Sequence, residues 1–113
     1  GGNVLIRVYN SLPTEEMDLV GDVTIHTDGR TYTVPAGTQI RLTPGESIHI
    51  QQRLYHDFEV EPGSGPVLLG EVSQCNDDAH DNRFLPAVGR FPKIEEDEPP
   101  YRLLCNEYPT AGE

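Results

Sequence analysis

The sequence has 113 residues, a length typical of one domain. It contains 19 acidic and 8 basic residues, and its formal net charge of -11 argues against nucleic acid or an anionic membrane as a partner. No apolar run is long enough to span a membrane, and the first residues do not resemble a signal peptide. We therefore expect a single domain, 1–113, in the cytoplasm.

Apolar and polar residues alternate through the first half of the chain, with Gly and Pro at short intervals, a pattern typical of a β-sandwich or β-barrel. In "NVLIRVYN" this alternation predicts a strand with Val4, Ile6 and Val8 facing the core. In "DVTIHTDGRTYTV" the Asp28-Gly29 pair lies between two β-branched runs. Both residues accept positive φ angles, so the segment predicts a hairpin with a type I′ turn.

A second hairpin is predicted around Pro44-Gly45, which suits a type II turn. Its strands would carry Ile40 and Leu42 before the turn, and Ile48 and Ile50 after it. The later segment "VLLGEVS" also alternates, whereas the chain beyond Ser73 is expected to be loop-like.

Two histidines, His49 and His56, are separated by an odd number of residues and should occupy opposite faces of their strands. His56 shares its parity with neighbouring apolar residues, which are Ile48, Ile50, Leu54, Phe58 and Val60. This parity predicts that His56 faces inward, either as a core histidine bonded to a backbone carbonyl or as a metal ligand inside a barrel. His49 and His26 are expected to lie at the surface.

Glu71 follows two large apolar residues, Val67 and Leu69, on the face of a strand that should be internal. A buried carboxylate must be paired, bound to a metal or protonated with a raised pKa, which makes Glu71 a candidate site residue. The alternative is that the end of the strand tips Glu71 into solvent.

The segment "NDDAHDNRF" is rich in carboxylates and amides but does not fit a calcium-binding EF-hand. Counting from Asn76, Asp81 and Ala87 occupy the positions that require Gly and Glu. Either this segment is a solvated loop, or its side chains orient a polyhydroxylated ligand. Cys75 and Cys105 are expected to be free thiols.

Several motifs together resemble the D-lyxose isomerase family of cupin sugar isomerases. They are "GEVS", "NDD", "DNRF" and "IEEDEPPYRLL", preceded by the Pro44-Gly45 turn and the downstream histidine, and the resemblance runs from about Gly1 to Pro109. It implies an all-β fold, a cupin-like antiparallel β-barrel or jelly roll, and a homodimer.

The resemblance also implies a manganese-dependent aldose-ketose isomerase that interconverts D-lyxose and D-xylulose, with D-mannose and D-fructose as further candidates. The family holds its metal with three histidines and a glutamate. On matching position, His56 would be one metal ligand and Glu71 the acid-base carboxylate. Asp81, Asn82 and Arg83 would contact the sugar.

The chain departs from the family pattern because it contains no HxH-x4-E arrangement. The remaining metal ligands are expected upstream of residue 1, and the barrel would be incomplete without the upstream strands. Three interpretations follow: part of a longer isomerase, a noncatalytic sugar-binding or structural cupin derivative, or an enzyme that takes its missing ligands from another chain.

Overall fold

A computed structural model describes residues 1–75, 77, 80–85, 95, 97–103 and 107–109. The chain forms two compact units, Gly1–Glu71 and Val72–Glu113. The described strands all belong to the first unit and are β1 (Val4–Tyr9), β2 (Val23–Thr27), β3 (Arg30–Val34), β4 (Gln39–Leu42) and β5 (Tyr55–Val60). In the described part of the chain, no helix is suited to crossing a membrane.

Every strand pair is antiparallel, and the strands form two sheets. The first sheet has the order β4-β1-β5, and the second is the β2-β3 hairpin. The described residues contain no helix, so the prediction of an all-β antiparallel fold is confirmed. Closure of the strands into a cupin-like barrel stays a prediction.

The hydrophobic core takes side chains from both sheets. Alternation along β1 buries Val4, Ile6 and Val8, as predicted, and the same period along β2 buries Val23 and Ile25. Ile40 of β4 joins them. Further apolar residues pack partly buried against this cluster, namely Val34, Leu42, Ile48, Leu54 and Val67.

The first predicted hairpin is confirmed. Asp28 and Gly29 are the two residues between β2 and β3, with φ angles of 46° and 75°. Positive φ at both central residues is the requirement of a type I′ turn, which matches the twist of the flanking strands.

The second predicted hairpin is wrong, although its turn is correct. Gly45 has a φ of 88°, and the Glu46 amide donates to the Thr43 carbonyl over 3.0 Å. After the turn, however, His49 forms an isolated bridge with His26 of β2 instead of a strand pairing with β4. The chain is redirected because Asp28 accepts hydrogen bonds from the Ser47 amide and hydroxyl.

Replacing Ile25 by Ala should lower the free energy of unfolding by about 2 to 5 kcal/mol, because it removes a side chain that is 1% exposed and leaves a cavity. Urea denaturation of the full natural protein measures this change. Val20→Ala is the control, since Val20 is 87% exposed and its truncation should change the free energy by about 0.5 kcal/mol or less. Equal destabilisation by both variants would contradict this core.

Candidate functional site

The position of His56 is set by the pairing of β5 with β1. In the register of these strands, His56 lies opposite Val8, and Phe58 lies opposite Ile6. Residues directly opposite each other in an antiparallel pair project from the same face of the sheet. His56 therefore shares a face with the buried row of β1, as its parity predicts.

The burial expected for this face of β5 is wrong. His56 is exposed, Phe58 is 60% exposed and Val60 is 49% exposed. The physical reason is that β5 is an edge strand of its sheet, and the described residues leave much of its inner face uncovered. The interpretation of His56 as a core histidine is therefore also wrong, although its ring does contact a backbone carbonyl.

That contact decides which ring nitrogen of His56 can bind a ligand. Nδ1 lies 3.0 Å from the carbonyl oxygen of Leu54. A carbonyl can only accept a hydrogen bond, so Nδ1 carries the proton that it donates. In the neutral ring the lone pair is then on Nε2, which is the arrangement typical of metal-binding histidines.

His56 fits a metal site as one nitrogen ligand. Within the described residues, however, no group of three or more His, Cys, Asp or Glu side chains could hold a metal ion. These residues therefore do not complete a coordination shell around His56.

The opposite face of the sheet carries charged and polar pairs between its strands. Arg7 of β1 donates to Asp57 of β5 over 3.0 Å, which supports the β1-β5 register, and Gln39 of β4 donates to Glu59 of β5 over 3.1 Å. Exposed pairs of this kind contribute little to stability, so they assist the apolar row of β1 without replacing it.

Glu61, next to the end of β5, joins segments of the three-stranded sheet. Its carboxylate accepts two hydrogen bonds from Arg41, both 2.9 Å long, and one of 2.6 Å from the Asn3 amide. The hydrogen bonds from Arg41, followed by the one from Asn3, lower the pKa of Glu61. This junction anchors the end of the strand that carries His56.

Glu71 does not lie in a strand. The segment "VLLGEVS" forms no described strand, which corrects the prediction from its alternation, and Glu71 is exposed. Val67 still packs against the core, but Leu69 is 52% exposed. The sequence argument for Glu71 depends on burial of its carboxylate, and the structure does not show that burial. The alternative in which Glu71 tips into solvent agrees with the structure.

The proposed sugar contacts lie in the second unit, where the described residues form turns and bends. The amides of His80 and Asp81 donate to the Asp77 carbonyl, and the Asp81 carboxylate accepts the Asp77 amide over 2.6 Å. Arg83 donates to the carbonyls of His80 and Asn82. The turn thus brings Asp81, Asn82 and Arg83 together, whereas Asn76 lies outside the described residues.

The cysteine prediction is confirmed for one residue. Cys75 is an exposed free thiol. Cys105 lies outside the described residues.

One arrangement was missed by sequence reasoning. His26 and His49 were predicted to lie separately at the surface, but the isolated bridge places them opposite each other. The sequence indicates the β2-β3 register through its two-residue turn, but it contains no signal for the pairing of His49 with β2.

Comparison with known proteins gives consistent results over nearly the whole chain. The D-lyxose isomerase family model matches residues 1–108. The chain is 47% identical over 108 residues to the D-lyxose/D-mannose isomerase of Escherichia coli O157:H7, covering 96% of this chain and 47% of that protein. It is 48% identical over 108 residues to the D-lyxose/D-mannose isomerase of Serratia proteamaculans, with the same two coverages. The chain spans about half the length of these curated relatives.

The Glu61 junction predicts a pH-dependent contribution to stability. Because the pKa of Glu61 is lowered in the folded state, its contribution is present above the usual pKa of a glutamate and is lost as the pH falls through the folded-state pKa. Glu61→Gln should therefore be less stable than the parent near neutral pH, and the difference should shrink in acid. Urea denaturation of the full natural protein from about pH 7 to about pH 3 measures this trend.

Glu59→Gln is the matched control, because Glu59 accepts a hydrogen bond from the neutral Gln39 amide. It should cost less stability at neutral pH than Glu61→Gln. A Glu61→Gln difference that stays constant across the pH series would contradict the linkage.

Proposed function

Because the chain belongs to the D-lyxose isomerase family, we propose that the protein is a ketol-isomerase that interconverts D-lyxose and D-xylulose. D-mannose and D-fructose form a second substrate pair in this proposal. The observation that carries it is the identity of 47% and 48% to two named D-lyxose/D-mannose isomerases over 108 residues. The matched segment contains both His56 and Glu71.

The reaction moves one hydrogen between adjacent carbons. A base removes the proton from C2 of the aldose, giving an enediol, and the proton is returned to C1. The hydroxyl proton of O2 passes to O1, so that the product is the ketose and the atoms balance. We assign the carbon-to-carbon transfer to Glu71, whose carboxylate is exposed and can reach a bound ligand.

His56 has a binding role in this proposal. Its Nε2 lone pair is available because Nδ1 donates to Leu54. A divalent manganese ion bound there would stabilise the negative charge that develops on the sugar oxygens. We propose that its other ligands lie outside the described residues, since those residues contain no three-ligand group.

The turn in the second unit supplies directional polar groups for the sugar. Asp81 offers carboxylate oxygens, Asn82 an amide and Arg83 a guanidinium, which together can accept and donate hydrogen bonds to hydroxyl groups. We propose that these three side chains orient the monosaccharide. Homodimer formation stays a prediction from the family resemblance, and a cytoplasmic location stays a prediction from the sequence.

The second candidate function is a noncatalytic sugar-binding or structural cupin derivative. The observation in its favour is that the described residues supply one histidine ligand in β5 without completing a metal site. Such a protein would bind a monosaccharide without exchanging its C2 proton. Proton exchange therefore separates the two functions.

His56→Ala should reduce the manganese bound by the full natural protein by about tenfold or more, because the ion loses one of its nitrogen ligands. Elemental analysis after dialysis measures the metal content. His49→Ala is the matched control, since His49 lies in the bridge to β2 and not on β5. Equal manganese content in both variants would contradict the assignment of His56.

Glu71→Gln should leave the fold and the bound metal in place but stop proton transfer, because an amide keeps the shape of the side chain and cannot act as a base. Exchange of the substrate C2 proton with deuterated solvent measures the step by NMR. Glu59→Gln, an exposed change on the outer face of β5, should exchange at the parent rate. Unchanged exchange in Glu71→Gln would assign the base elsewhere, with Asp81 as the next candidate.

A further inference from the structure

His26 and His49 face each other across an isolated antiparallel bridge. The amide of His49 donates to the carbonyl of His26 over 2.9 Å, and the ring centroids are 6.2 Å apart with an interplanar angle of 48°. Residues opposed in this way project from the same side of the strands. The two imidazoles therefore lie side by side on the outer surface of β2.

Neighbouring contacts hold the two backbone segments together. Thr27 is 6% exposed, and its hydroxyl donates to the Ser47 carbonyl. The Asp28 carboxylate accepts hydrogen bonds from the Ser47 hydroxyl over 2.8 Å and from the Ser47 amide, and these bonds lower the pKa of Asp28. Through these hydrogen bonds Asp28 fixes the position of Ser47, two residues before His49.

The ring of His26 is further oriented by β3. Its Nδ1 lies 3.0 Å from the hydroxyl oxygen of Thr31, the residue opposite it in the hairpin. In the tautomer whose Nδ1 donates to this oxygen, the lone pair is on Nε2. A hydroxyl partner of this kind fixes the ring of a metal-binding histidine.

The separation of the rings is close to that needed for one shared ion. With metal-nitrogen bonds of about 2.0 to 2.1 Å, two imidazole centroids on one ion lie about 5 Å apart at the tetrahedral angle of Zn²⁺ and about 4.5 Å apart at the right angle typical of Cu²⁺ and Ni²⁺. The observed 6.2 Å requires an approach of roughly 1 to 2 Å, within reach of a side-chain rotation of the exposed His49. The surrounding depression, about 440 Å³ in volume, also leaves room for water ligands.

We propose that His26 and His49 form a surface binding site for late first-row divalent ions, in the order of affinity Cu²⁺, then Ni²⁺ and Zn²⁺. Imidazole nitrogens suit these ions, whereas Mn²⁺ is the weakest of the series for nitrogen ligands. The described residues add no third His, Cys, Asp or Glu ligand, so water completes the coordination. This site is separate from the manganese ligand assigned to His56 and does not rest on the proposed isomerase activity.

The test is titration of paramagnetic Ni²⁺ into the full natural protein, prepared without a histidine tag, followed by NMR through the broadening of the Thr31 and Ser47 amide signals, so that ions bound at other sites do not contribute. His26→Gln and His49→Gln should each weaken Ni²⁺ binding at this site by about tenfold or more, because a single imidazole cannot chelate. Because both rings are needed for chelation, the double variant should bind Ni²⁺ about as weakly as either single variant.

His80→Gln is the matched control, because the exposed His80 ring contacts Asp77 and does not line the depression around His26 and His49, and it should leave this Ni²⁺ binding unchanged. Thr31→Ala should weaken binding less than loss of either ring, since Thr31 only positions His26. Parent-like affinity in either single variant would overturn the proposal, because it would mean that one imidazole binds Ni²⁺ alone or that the ion binds elsewhere. The exposed His49→Gln variant keeps the test valid even if His26→Gln perturbs the fold.

Discussion

The register of β1 is the constraint on which the rest of the first unit depends. Val4, Ile6 and Val8 are buried on one face of this central strand, and a shift of one residue would turn all three into solvent. Burying each such side chain is worth about 1.5 to 3 kcal/mol, more than the exposed ion pairs on the opposite face contribute. Because β5 pairs with β1 in this register, the buried row of β1 sets the face on which His56 lies. The Arg7-Asp57 pair then lies on the opposite face.

Local features of the fold could be predicted because their causes are local. The alternation of β1 and the Asp28-Gly29 turn each depend on a few adjacent residues, and both agree with the structure. The parity of His56 was equally predictable, since a strand can present a residue to only two faces. The burial of this face of β5 could not be predicted. The exposure of Phe58 depends on what covers an edge strand, and alternation carries no information about that cover.

The wrong second hairpin and the wrong strand at "VLLGEVS" have different physical origins. After the Pro44-Gly45 turn, the hydrogen bonds between Asp28 and Ser47 draw the chain toward β2, a long-range contact that no local pattern encodes. In "VLLGEVS" the alternation is real, but period-two hydrophobicity produces a strand only when a partner strand satisfies the backbone. The described structure provides none for this segment, so Glu71 lies in an exposed stretch without regular secondary structure. Its chemistry must therefore be argued from accessibility and not from burial.

The histidines show how the hydrogen-bond partner at Nδ1 decides which ring nitrogen is available to bind a ligand. His56 and His26 each place Nδ1 3.0 Å from an oxygen, supplied in one case by the Leu54 carbonyl and in the other by the Thr31 hydroxyl. The carbonyl can only accept, so it fixes the tautomer of His56 outright, whereas the hydroxyl can also donate and leaves that of His26 open to its surroundings. A metal bound at Nε2 of His26 would itself select the Nδ1-protonated form, because the ion requires the lone pair on Nε2. A local contact with the backbone two residues earlier thus prepares His56 as a ligand before any ion arrives, whereas at His26 ion binding and tautomer choice are coupled.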